Sequence, residues 1–184
     1  MFNTLKIYII LSALILLCCS CSANNNYPER SIVYEKNAAD QSNINQSNNN
    51  RDVQKFLGYK CLGIINNPDK VETYQIDRLR NSNHTGNNIN SYPVTQKGHN
   101  LDNKDIKAVR KIINSSSSYD FKWSKRIRIR PSHVLRFIRY SEKVDITIDF
   151  NTRQWAFYHD NKVMTEDISK SASTELNNII SKLF

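Results

Sequence analysis

The chain is short of the residues from which small secreted domains and many active sites are built. It has four cysteines in 184 residues, and Cys18, Cys19 and Cys21 crowd together near its start. Cys61 is left without a partner further along, which excludes a disulfide framework. Glycine is as scarce, and none of the four frames a serine in the Gly-x-Ser-x-Gly turn that raises a hydrolytic nucleophile. The four histidines (His84, His99, His133, His159) are scattered, with no i,i+4 pair and no Cys-x-x-Cys beside them, so no metal site is expected. Acidic residues are outnumbered 17 to 26 by basic ones, a net charge of +9 that favours anionic surfaces. The main apolar run, Ile7 to Leu17, has 11 residues, against the roughly 20 needed to span a bilayer.

What is present begins with that run. Lys6 supplies a positive n-region and Ile7 to Leu17 an apolar h-region, the two parts of an export signal. Small residues lead into a cysteine at Ser20-Cys21, and this resembles the lipobox of bacterial lipoproteins. The resemblance implies a diacylglycerol on Cys21, cleavage before it, and a membrane anchor. Cys19, with Leu16 and Leu17 behind it, is the alternative attachment site; an ordinary signal peptide cleaved near Ala23 is another reading. Ser22 rather than an aspartate follows Cys21, so the outer membrane is expected over the inner. Several acyl chains, each buried methylene contributing about 0.8 kcal/mol, make such an anchor nearly permanent.

Loss of residues 1–20 would leave 184 − 20 = 164 residues, the size of one domain plus a tail. Residues 21–51 are dominated by Asn and Ser and are expected to form a disordered tether. Residues 52–184 are expected to form a single α+β domain: an antiparallel meander of four or five strands packed with about three helices. Val53, Phe56, Leu57, Cys61, Leu62 and Ile65 recur at helical steps across 52–65. Val71 to Ile76 alternates as a strand, and 78–100 is polar enough to be a long loop. Leu101 to Ile113 has a second helical face. Alternation then predicts strands over the Ile127–Arg130 region, His133–Tyr140, Val144–Phe150 and Gln154–His159, before a closing helix from Ile168.

The strings 64–74 (Ile-Ile-Asn-Asn-Pro-Asp-Lys-Val-Glu-Thr-Tyr), 91–94 (Ser-Tyr-Pro-Val) and 130–137 (Arg-Pro-Ser-His-Val-Leu-Arg-Phe) resemble a group of small exported bacterial proteins. That group brings no activity with it. It often carries cysteines where this chain has Ile127, Asp149 and Thr152, so any redox or metal role they support there is not expected here.

The densest charge feature is Arg126, Arg128 and Arg130, which share one face if the segment is a strand; Arg136 across from them would turn the row into an anion-binding patch flanked by Tyr140 and Trp155. The competing expectation is a solvated face whose arginines pair with Asp145 and Asp149. Ser132 and His133 would point to opposite faces of a strand, which argues against a nucleophile and base pair. The chain is therefore expected to be a lipid-anchored envelope protein without enzymatic activity or cofactor, binding an anionic surface or a protein. Nucleic acid is not expected at that address. The alternative is an envelope-polymer hydrolase using His133 or the Asp145/Asp149 pair.

Overall fold

Val53, Leu57, Cys61 and Ile65 follow one another at four-residue steps, and all four are buried. In the computed structural model, which describes residues 39–81, 85–122 and 127–184 (39–50 as backbone only), they line one side of helix α1, Ala39–Asn66. The expected export signal and the first part of the expected tether lie outside the described residues. Asn37–Phe184 forms one compact unit.

Helix α1 starts well ahead of Asp52, the residue at which the apolar pattern begins. Residues 39–50 contain no proline or glycine, so nothing stops a helix nucleated by its apolar turns from extending backward. At Gly58 the helix kinks: φ is 76° and ψ 161°, a conformation essentially reserved for glycine. A Cβ at that position would meet nothing within 4 Å, so backbone torsion, not space, selects the residue.

Helix α2 spans Asn103–Asn114, its first turn capped by the Asp102 carboxylate accepting from Asp105 N at 2.7 Å. Helix α3 spans Lys170–Ile180, with Ser169 as its N-cap. The ends of α1 and α2 are tied by reciprocal amide bonds: Asn114 Nδ2 donates to Asn66 Oδ1 at 2.7 Å, and Asn66 Nδ2 to Asn114 Oδ1 at 3.3 Å.

The sheet has seven strands, all pairs antiparallel: β1 (Lys70–Ile76), β2 (Asn88–Ile89), β3 (Tyr92–Lys97), β4 (His133–Arg139), β5 (Glu142–Asp149), β6 (Gln154–His159) and β7 (Lys162–Asp167), in the order β2-β3-β1-β4-β5-β6-β7. The α+β class holds, and the strand count exceeds the expected four or five. The 78–100 loop contains β2 and β3, joined by Asn90-Ser91 with φ of 52° and 68°. β6 and β7 are joined the same way by Asp160-Asn161, at 47° and 60°. Both are two-residue turns whose backbone twist matches that of the paired strands.

One face of the sheet carries Val71, Leu135, Phe137, Val144, Ile146, Ile148, Trp155 and Phe157 into a single core with the three helices. The face behind it is largely polar. Its apolar content includes a small second cluster, Ile76, Ile89, Tyr92 and Val134, formed where β2 and β3 join β1 and β4.

The strand expected around Ile127–Arg130 does not form. The described part of that segment is irregular, and Ile127 is 59 % exposed. β1 pairs with β3 on one side and β4 on the other, so an alternating arginine-isoleucine segment finds no free edge there. Pro131, lacking an N–H, weakens any alternative pairing. No helix among the described residues is long and apolar enough to cross a membrane.

Candidate functional site

On the polar face, alternation in β1 puts Glu72 and Tyr74 on the same side, and register places Arg136 opposite Glu72 and Asp145 opposite Arg136. The pairing that follows is bidentate. Arg136 Nε donates to Asp145 Oδ1 at 2.6 Å and Nη2 to Oδ2 at 3.0 Å, with side-chain exposures of 18 % and 4 %. The guanidinium also lies 5.6 Å from the centroid of the Tyr74 ring. Its pKa is raised by the hydrogen bond to Asp145, against the opposing effect of burial.

Glu72 is the second hub. It accepts from Tyr74 Oη at 2.7 Å and Lys70 Nζ at 2.9 Å, with Lys97 Nζ at 3.5 Å. Burial pushes its carboxyl up, but the Tyr74 hydroxyl and the two lysines outweigh that and hold it at about 2. Tyr74 rises to about 12, through burial and through donating to a carboxylate.

Asp149 is the third. It is 1 % exposed and gathers the loops at one end of the sheet. Arg130 N donates to its Oδ2 at 3.0 Å; Asn151 N and Thr152 N donate to Oδ1 at 3.0 and 3.3 Å; Arg78 Nη2 reaches Oδ1 at 3.5 Å. Arg78 Nε also donates to the Arg130 carbonyl at 3.3 Å. Turning the Asn151 amide brings its oxygen to 2.8 and 2.9 Å from the two terminal nitrogens of Arg78. Ser132 N donates to Ile148 O and Ile76 N to Ser132 O, each at 3.0 Å, fixing the end of the 127–132 segment between β1 and β5.

The anticipated arginine patch is therefore divided. Arg126 lies outside the described residues, as do Cys21, Cys19 and His84. Arg128 and Arg130 are exposed on the irregular segment, and their guanidinium groups have no partner among the described residues. Arg136 stands on the sheet with its charge taken by Asp145. Asp149 bonds Arg78 and main-chain amides, not a row of arginines. Trp155 is fully buried on the helix side and flanks nothing, while Tyr140 is exposed on the β4–β5 turn under the Arg139 guanidinium, 5.5 Å away. Arg78 and Arg80, absent from the expectation, are the cations that join the 77–81 loop to the rest. Arg80 donates to Tyr158 Oη at 3.0 Å and sits 5.0 Å from the Tyr92 ring centroid, beside an open cleft of about 620 Å³ whose walls include Asn90, Lys143, Asp145 and Lys162.

Ser132 and His133 do not diverge as a strand pair would. Ser132 precedes β4, and its Oγ lies 2.8 Å from His133 Nδ1. The imidazole packs 5.5 Å from both the Phe150 and Phe184 rings, and burial lowers its pKa, favouring the neutral form. Among the described residues no carboxylate bonds this ring. Cys61 is buried, its thiol pushed up to about 12 by desolvation, which suits an inert core residue. No group of three or more histidine, cysteine, aspartate or glutamate side chains among the described residues is arranged to hold a metal ion.

The geometry can thus recognise anions through exposed guanidinium groups and orient itself through three buried carboxylates. No protein-family model, curated protein or solved structure matches this chain.

Proposed function

We propose that the chain is a membrane-anchored lipoprotein of the bacterial envelope, held by acyl chains on Cys21 with Cys19 as the alternative, and that residues 52–184 serve as a binding module for an anionic partner. The observation that supports the binding-module reading most strongly is the pair of exposed guanidinium groups of Arg128 and Arg130, which have no partner among the described residues. The Arg130 backbone is held by the buried Asp149 carboxylate, and the neighbouring Ser132 by β1 and β5. A preorganised cationic segment loses less entropy on binding than a free one. The outer membrane is the favoured address, from Ser22.

The test is retention of the full chain on immobilised envelope extract, compared with Arg128→Glu/Arg130→Glu. The reading predicts loss of retention in the variant. Equal retention removes the segment from the account.

A second reading, a hydrolase of envelope polymers, is favoured by one observation, the 2.8 Å approach of Ser132 Oγ to His133 Nδ1. It predicts covalent labelling of Ser132 by a fluorophosphonate, abolished in His133→Ala. A chain that stays unlabelled ends that reading.

A further inference from the structure

The loops gathered by Asp149 present more than charge. Leu79 is 60 % exposed and Ile127 59 % exposed, the one beside Arg78 and Arg80, the other beside Arg128. The two segments are held together by the bond from Arg78 Nε to the Arg130 carbonyl. Leu79 itself is fixed by a tight turn in which its N–H donates to Asp77 Oδ1 at 3.0 Å. The buried Asp149 carboxylate neutralises only part of the local cationic charge, since Arg128 and Arg130 remain free among the described residues.

Aliphatic side chains exposed on two loops that are bonded to each other, with the free guanidinium of Arg128 next to Ile127, match one kind of surface. A bilayer containing anionic lipids offers phosphate oxygens to the forked donors and an acyl boundary to the leucine and isoleucine. An acidic protein would meet the arginines but gives no reason for two separate aliphatic tips. We infer that the 77–81 and 127–131 loops form a membrane-facing tip that seats on anionic lipid headgroups, with Arg128 and Arg130 on phosphates and Leu79 and Ile127 in the interface. This rests on the anchored binding-module reading above and names its partner; tethering would raise the effective concentration of the tip at the surface.

The experiment is hydrogen exchange on the full chain with phosphatidylcholine vesicles and with vesicles that also contain phosphatidylglycerol, after flotation to score attachment. Slower exchange in 77–81 and 127–131 is expected on the anionic vesicles alone. Arg128→Gln/Arg130→Gln should lower the docking constant roughly thirty-fold, at about fivefold per arginine removed, and added salt should also weaken it. Leu79→Asp/Ile127→Asp, which keeps both arginines, should also weaken docking. Flotation on both vesicle types without protection overturns this inference and leaves the anchor standing. Flotation on anionic vesicles alone, with protection, supports the tip and removes the anchor. Flotation on neither overturns both. Protection by an acidic protein but not by vesicles overturns the lipid assignment.

Discussion

Replacing Arg136 by methionine strips the Asp145 carboxylate, 4 % exposed in the native protein, of its counter-charge and leaves the Asn90 amide, at 3.4 Å, as its side-chain donor among the described residues. Two short bonds, at 2.6 and 3.0 Å, are lost at once. Removing one partner of a buried ion pair leaves an uncompensated charge and costs about 3–5 kcal/mol, whereas replacing both partners by apolar groups of similar volume is often neutral. Arg136→Met is therefore expected to lower stability by about 3–5 kcal/mol, and Arg136→Met/Asp145→Leu to recover most of it. For a domain near 150 residues each kcal/mol corresponds to roughly 2–4 °C in Tm, so the single variant should melt at least about 6 °C lower. Urea unfolding followed by tryptophan fluorescence measures both, with an unchanged slope as the check that only stability moved. A single variant costing under about 1 kcal/mol would refute the reasoning, since the carboxylate would then have to be hydrated. So would a double variant as unstable as the single.

Three further outcomes follow from individual groups. Glu72 has a depressed folded-state pKa, about 2 against an ordinary 4.5, so its contribution is fully present above pH 4.5 and is lost as pH falls toward 2. Glu72→Gln should flatten the urea-midpoint profile across that window, and an unchanged profile would contradict the assignment. Gly58→Ala should cost about 1–3 kcal/mol by forcing a side chain onto φ 76°, ψ 161°, measured by thermal unfolding; no loss would mean the helix straightens freely through that point. Native Cys61 should stay unalkylated by iodoacetamide in peptide mapping and react once urea is added, whereas native labelling would contradict its burial.

The elements legible in the sequence were those with an undiluted period. Val53 to Ile65 kept helical spacing, and Ile146 and Ile148 alternated with Asp145, Thr147 and Asp149 in a strand with one face in the core. β7 was missed because an edge strand buries little, and Lys-Val-Met-Thr-Glu-Asp carries almost no apolar alternation. The β2–β3 hairpin had a signal, a two-residue Asn-Ser turn between Ile89 and Tyr92, drowned in an asparagine-rich stretch. The Arg126–Arg130 alternation misled because periodicity describes what a strand requires of its side chains, not whether an edge is free to pair. Alternation put Arg136 and Asp145 on the same face of their strands, and only register could make them partners. The Asp149 hub was out of reach. Its contact with Arg78 spans 71 residues and joins the end of β5 to an irregular loop, where no period exists to read.

The proposed lipid anchor is tested most directly by mass spectrometry of the N-terminal peptide of the native protein. It predicts a first residue of Cys21 carrying a thioether-linked diacylglycerol, with residues 1–20 gone. A peptide that retains Met1 and bears an unmodified Cys21 would contradict it.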